Sequence, residues 1–355
     1  MSRRDNDEPT GPRRVLVTGL GTFWGGLAAQ ALESDPEVEV IVGLDTTEPT
    51  VELERTEYVR VDANYSTLAR IVKATEVDTI VHTFLVVDPT STSRRAMHEI
   101  NVIGTMNLFA AASAPDSTVR DVVVKSSTAV YGCSPEDPAF FAETTRPSRP
   151  LRRPLERSLE QVEGYVGDFA EDNPHVTVSL LRFANVIGTD LTTPLTRALE
   201  LPLVPSMFGF DPRLQFVHEH DVINSVLFAL RNSLAGVYNV AGDGLLPWTE
   251  VAAICGKRTL PLPPFLNGDL LAPLRRLAID LPEEYLNLLR YGRGVDNRKL
   301  KDAGFEYRYT SAEALQQFVE SIRLRRSIGD AAPMYRYERD VEQFFRHSPA
   351  VVRDP

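Results

Sequence analysis

Between residues 14 and 182 short unbroken apolar runs alternate with longer stretches whose apolar residues recur every three to four positions. The runs predict strands at 14–18, 38–44, 57–61, 77–82, 119–126 and 176–182. The periodic stretches predict helices at about 23–33, 66–74, 95–114 and 155–171. The strands are continuously apolar, as in a parallel sheet covered on both faces. Strand alternating with helix predicts an α/β fold with a doubly wound parallel sheet, whose ligands lie beyond the strand C-termini.

After residue 183 the regularity breaks. Prolines (Pro194, Pro202, Pro205, Pro261, Pro263, Pro264) punctuate shorter elements. The expected organisation is a disordered leader at 1–12 and a nucleotide-binding domain at 13–182, its core continuing through later segments. A smaller mixed substrate lobe at 183–327 and a loosely attached tail at 328–355 complete it. No internal repeat is evident.

The first strand holds the most specific signal. Val15-Leu16-Val17 runs into Thr18-Gly19-Leu20-Gly21, and a helical pattern follows through Leu27, Ala28, Ala31 and Leu32. A helix start presents backbone N–H groups and a partial positive charge that suit a pyrophosphate, and glycine lets the backbone approach it. Gly19 and Gly21 fit the first two glycines of G-x-G-x-x-G. Trp24 stands in place of the third, and Gly25 follows one later. Thr18, Gly19, Gly21, Thr22, Phe23, Trp24 and Gly25 form the candidate cradle. The competing reading is a tight strand–helix turn with no ligand. Asp45 shifts the balance. It ends the second strand twenty residues past Gly25, where a carboxylate accepts from the ribose hydroxyls and repels a 2′-phosphate, favouring NAD over NADP.

Composition narrows the classes. There are 38 basic and 49 acidic residues, a net charge of −11, and nothing resembles a nucleic-acid surface. Five lysines are present, at 73, 125, 257, 299 and 301. Two cysteines, Cys133 and Cys255, imply no disulfide framework. The polar N-terminus lacks an apolar signal core, and no run approaches the roughly 18–20 apolar residues of a bilayer span. A cytoplasmic protein is expected. His218, His220 and Asp221 are metal-ligating types close in sequence, but Asp221 is expected to cap a helix at 222–230 instead, so no metal is expected.

Further segments resemble one family: Val77-Asp-Thr-Ile-Val-His82, Asn101-Val-Ile-Gly-Thr105, Lys125-Ser126-Ser127-Thr-Ala-Val-Tyr131-Gly132, Leu181-Arg182-Phe-Ala-Asn185-Val-Ile-Gly188, Phe216-Val217-His218 and Gly236-Val-Tyr-Asn239. In order and spacing they are similar to the extended short-chain dehydrogenases/reductases, the NAD-dependent epimerases and dehydratases of nucleotide sugars. The resemblance runs from about residue 14 to 320 and implies a Rossmann sheet. It also implies that Asp62, Ala63, His82, Thr83, Asn101 and Ser126 join the cofactor site, and that Ser127 holds the substrate oxygen. By analogy alone it implies a homodimer through the 95–114 and 155–171 helices.

Two departures stand out. The family's base is a tyrosine, whose reference pKa near 10 is depressed by a lysine four residues on and by the nicotinamide charge. Aligning Glu163-Gly164-Tyr165-Val166 with the family places Leu155 at the tyrosine and Leu159 at the lysine. No tyrosine in the chain has a lysine four residues later. Leu155, Leu159, Val162, Val166 and Phe169 instead make an apolar stripe. Lys125, on the same strand face as Ser127, is the candidate substitute; its alternative is a lysine reaching solvent at the sheet rim. The second departure is Leu214, which fills the place of the family's pyrophosphate-binding arginine. Arg213, one residue earlier, and Arg298 are the candidate replacements, with Arg293 and Arg182 also available, and Asn185 faces the substrate.

Three functions follow from this reading. The first is an NAD-dependent epimerase/dehydratase-type enzyme acting on a sugar nucleotide or related hydroxylated molecule, with altered acid–base residues. The second is a redox-silent NAD(H)-binding sensor or partner of the same fold. The third, a sterol- or lipid-directed dehydrogenase, rests on leucines 270, 271, 274, 277 and 281, which otherwise read as a packed lobe helix.

Overall fold

The computed structural model describes residues 13–61, 64–88, 91–138, 140–189, 191–265 and 282–328. The leader, the tail beyond 328, Asp62, Ala63 and the leucines at 270–281 lie outside them.

Seven parallel strands form the main sheet: β1 (Arg13–Thr18), β2 (Val38–Asp45), β3 (Thr56–Arg60), β4 (Thr79–His82), β5 (Asp121–Ser127), β6 (Thr177–Phe183) and β7 (Gly236–Val240). Their order is β7-β6-β5-β4-β1-β2-β3, so the winding reverses between β1 and β4. At such a switch point the loops above two neighbouring strands diverge and open a crevice. The continuous apolar runs are explained by helices on both faces. Leu16, Val42, Ile80, Val122 and Leu180 face one side, while Val15, Val17, Val81, Val123 and Leu181 face the other.

The first helix, α1 (Phe23–Glu33), starts where Thr22 caps it by accepting from the Gly25 N–H at 3.1 Å. Next come α2 (Tyr65–Thr75), α3 (Arg94–His98) and α4 (Gly104–Ala112). The last two are joined by a π-helical turn, Glu99–Ile103. The long α5 (Pro154–Asp172) presents Leu155, Leu159, Val162, Val166 and Phe169 to the sheet. The apolar stripe read in the sequence is therefore the packing face.

Beyond residue 183 the chain passes between the lobe and the main sheet. α6 (Pro194–Glu200) leaves for the lobe, but α7 (Glu219–Arg231) and β7 return to the main sheet. Asp221 does not cap α7, because His218 does, with Nδ1 accepting from the His220 N–H. The Asp221 carboxylate instead accepts from the backbone of Arg308 and Tyr309, tying the lobe to the sheet. The lobe holds α8 (Trp248–Ile254) and α9 (Glu283–Tyr291); α10 (Arg298–Asp302) instead packs Leu300 into the core of the main sheet beside β7. With α11 (Ser311–Ile328) and short two-stranded sheets, α8 and α9 close around a second core of Leu195, Met207, Phe216, Trp248, Leu289 and Phe318.

Candidate cofactor and substrate site

Two cavities lie beyond the C-terminal ends of the main strands. The first, of about 500 Å³, is lined by Thr18, Gly19, Thr22, Asp45, Asn64 and Ile103, among others. The second, of about 310 Å³, is lined by Phe23, Trp24, Lys125, Ser126, Ser127, Leu155, Asn185 and Arg293, among others. Both are bordered by Thr22, Phe84 and Val86, so they form one trough across the switch point.

The glycine loop is built by close approach. Gly19 has φ +75°, which side chains other than glycine's rarely tolerate. At Gly25 a Cβ would lie 2.0 Å from the Gly19 carbonyl oxygen, so a glycine is required at 25 although Trp24 holds the usual position. The Asp45 carboxylate secures the loop from below. Its Oδ2 accepts from the Gly21 N–H at 2.9 Å, and its Oδ1 accepts from the backbone of Thr46 and Thr47. A carboxylate offers about four acceptor directions, so Oδ2 keeps one for a ribose hydroxyl. A glycine turn at a helix start, an acidic strand end and a trough between them fit a dinucleotide.

Other expected cofactor residues sit one layer behind the trough. His82 lines neither cavity and is fully buried. Burial, and then the nearby Lys125 charge, push its pKa down to about 3, so it is neutral. The Thr105 hydroxyl donates to the Asn101 carbonyl, so its oxygen accepts from His82 Nε2–H at 2.9 Å. His82 Nδ1 then accepts from the Thr18 hydroxyl at 2.9 Å. Thr83 is also buried and donates to the Thr18 carbonyl. The Asn101 amide clamps Val86, accepting from its N–H at 2.7 Å and donating to its carbonyl at 2.9 Å. These residues shape the trough by holding the segment after β4. Asn101→Ala leaves both Val86 groups without this partner. We expect it to cost about 1–3 kcal/mol, read by urea unfolding, with faster proteolysis near residues 83–88.

Ser126 borders the second cavity, but its hydroxyl is engaged elsewhere. It donates to Glu163 Oε1 at 2.6 Å. Arg182 grips the same carboxylate, donating from Nε at 3.1 Å and from Nη2 at 2.5 Å, and its Nη1 donates to the Tyr131 hydroxyl at 2.8 Å. Arg182 and Tyr131 are thereby committed to a structural network, and burial raises the Tyr131 pKa.

Lys125 is the reverse case. It does not reach solvent at the sheet rim but is buried, at 6% exposure, and borders the second cavity. Nζ donates to the Leu85 carbonyl at 3.3 Å and lies 5.7 Å from the Trp24 ring centroid. Burial lowers its pKa to about 7. Ser127 borders the same cavity, and its oxygen accepts from the Ala129 N–H at 3.2 Å. Its own O–H is left to donate to a ligand. Leu155 forms part of the same wall, whereas Leu159 is fully buried in the core.

Neither arginine expected to replace Leu214 reaches a cavity. Arg213 is exposed on a lobe strand, and Arg298 is exposed and paired with Asp296. Arg293 does: it borders the second cavity, its Nη1 donates to the Gly132 carbonyl at 3.1 Å, and its Nε is buried without a partner. Sequence reasoning missed the cavity carboxylates Glu156, Glu284 and Asp88, and Tyr285. Glu156 lay beside Leu155 in the helix and was the one signal available. Burial raises the pKa of Glu284. Among the described residues no His, Cys, Asp and Glu group is arranged to hold a metal, and no helix is long and apolar enough to cross a membrane.

The fold defines an α/β protein of the doubly wound class. The chain belongs to the NAD dependent epimerase/dehydratase family, whose model matches residues 15–241. A Mycobacterium tuberculosis relative, described as an uncharacterized protein, is 35% identical over 321 residues, 88% of this chain and 85% of the relative. Among solved structures, MoeE5 in complex with UDP-glucose and NAD superposes with a TM-score of 0.67 at 22% identity, covering 89% of this chain and all of MoeE5. UDP-glucose 4-epimerase from Thermotoga maritima, with UDP-glucose, gives 0.67 at 18% identity over 89% of this chain and all of that one. UDP-glucuronic acid 4-epimerase from Bacillus cereus, in complex with NAD, gives 0.65 at 17% identity over 88% and 99%.

Proposed function

We propose that this chain binds NAD along the trough and transfers hydride to and from a hydroxylated small molecule, with Lys125 and Ser127 handling the alcohol proton. The observation that carries the reading is the placement of both residues on the wall of the second cavity, which shares a border with the Gly19–Asp45 cavity. The glycine loop and the α1 N-terminus would hold the pyrophosphate, and Asp45 the adenosine ribose. When bound, NAD accepts and returns the hydride. Ser127 donates its O–H to the substrate oxygen and fixes it. Lys125, as a free amine, takes the hydroxyl proton on Nζ and gives it back on reduction. Its burial keeps that amine available near neutrality. Leu155 supplies only an apolar wall where the family has its tyrosine.

The redox-silent reading is favoured by one observation, the apolar Leu155 and Leu159 on α5. Purification followed by nucleotide release, then stopped-flow NADH reoxidation with keto-sugars and simple ketones, separates the two. Bound NAD with no reaction of any carbonyl probe removes the enzyme reading. No titratable dinucleotide removes both. Asp45→Ala tests the NAD preference. It should weaken NAD about tenfold and narrow the gap between NAD and NADP, as seen by calorimetry. An unchanged ratio would exclude Asp45 as the discriminating carboxylate.

A further inference from the structure

The cavity at Lys125 and Ser127 has a largely apolar lining. Around and beyond Lys125 and Ser127 its wall is made by Val87, Leu155, Val186, Leu191, Leu195 and Leu288. A wall of this kind favours ligands that leave water with apolar surface. The charges agree. Among the described residues, Lys125 and Arg293 are the cationic side chains on the wall, against the carboxylates Asp88, Glu156 and Glu284. Arg197 already pairs with Asp88 at 3.3 Å, and Arg153 with Glu156 at 3.4 Å.

A nucleoside diphosphate brings two negative charges and calls for guanidinium forks. Among the described residues the wall offers a single guanidinium, with Nη1 already on the Gly132 carbonyl. Leu214 is fully buried in the lobe core, where no side chain at that position reaches the trough without repacking. Arg213 and Arg298 stand outside it.

We propose that this cavity takes a neutral alcohol or ketone with an apolar body, its reacting oxygen at Lys125 and Ser127, in place of a nucleoside-diphosphate sugar. The inference rests on the NAD-dependent reading and names its substrate class. In the oxidative direction the carbinol C–H leaves as hydride to the nicotinamide dinucleotide, the O–H proton goes to Lys125, and a ketone remains.

The full chain, loaded with NAD, is titrated by calorimetry with 2-decalone, a neutral bicyclic ketone, and separately with UDP-glucose. The expected result is at least tenfold tighter binding of 2-decalone. Leu191 is half-buried on the wall, so Leu191→Asp should weaken 2-decalone about tenfold while NAD retention shows that the variant is folded. Leu191→Ile, which keeps the wall apolar, should bind within about twofold of the parent. Tighter binding of UDP-glucose, binding of neither probe, or 2-decalone affinity indifferent to Leu191→Asp would each overturn the substrate class. NAD uptake in the same preparation keeps the two levels apart. Retained NAD with a preference for UDP-glucose overturns this inference alone, and no NAD uptake overturns the reading beneath it.

Discussion

Lys125→Met should lower the hydride-transfer rate by about 10²–10⁴ while leaving NAD bound, and should raise the thermal midpoint. The rate loss is the range that a positioned general base supplies. Its pH signature is specific. The parent rate should climb as pH rises through about 7, where the buried amine loses its proton, and then level off. The variant should lack that limb. The stability gain has the same origin. The folded lysine holds its proton less tightly than the unfolded one, with a pKa of about 7 against the ordinary 10.5. Across that window the unfolded chain binds the extra proton, so the parent gains stability as pH rises and loses it as pH falls. Below about 7 both states are protonated and the full penalty of burying the charge remains. Methionine carries no such penalty. Its advantage in thermal midpoint should be largest at and below pH 7 and shrink toward pH 10. An unchanged rate profile would remove Lys125 from the reaction, and a lower midpoint at pH 7 would show that its amine is not desolvated.

Leu159→Lys should destabilise the protein by about 3–5 kcal/mol, measured by urea unfolding, because it places an ammonium in a dry core. Leu159 is fully buried among the apolar residues between α5 and the sheet. Leu155→Tyr is a milder change, expected within about 2 kcal/mol, since Leu155 borders the cavity and a phenol there finds room and solvent. The two positions thus differ: Leu155 is open to the site, while Leu159 is part of the core. If Leu159→Lys folded with near-parent stability, this assignment of the helix face would be wrong.

These two helix positions also show where sequence reasoning reached its limit. The strand and helix framework was legible because burial on both sheet faces leaves unbroken apolar runs. The helix expected at 23–33 is α1, and the strands expected at 38–44 and 119–126 are β2 and β5 to within two residues at either end. The glycine loop and Asp45 were legible because both are local to the first strand–helix–strand unit. The polar layer behind the trough was not. His82, Asn101 and Ser126 have the residue types of cofactor contacts, and only the partners brought by distant segments (Thr105, Val86 and Glu163) show that they are structural. Arg293, Glu284 and Tyr285 reach the cavity from the lobe, far along the chain, and no spacing rule marks them. Lys125 was placed on the correct strand, but its burial depends on Trp24 and the Leu85 segment closing over it.

The π-helical turn at Glu99–Ile103 carries one more consequence. Such a turn admits one residue more than an α-helical turn of the same rise, so everything after it is rotated by roughly 100° relative to an uninterrupted helix. The helix built by α3, this turn and α4 thus reads as two phases spliced at Asn101. The upstream half faces one set of neighbours and the downstream half another, and the asparagine at the splice touches the loop over the trough. Any relative that loses a single residue here would straighten the helix. It would then have to choose which of its two faces to keep in register, the one behind the loop or the one against α2. Length in this short stretch is therefore as diagnostic of the architecture as the identity of any residue within it.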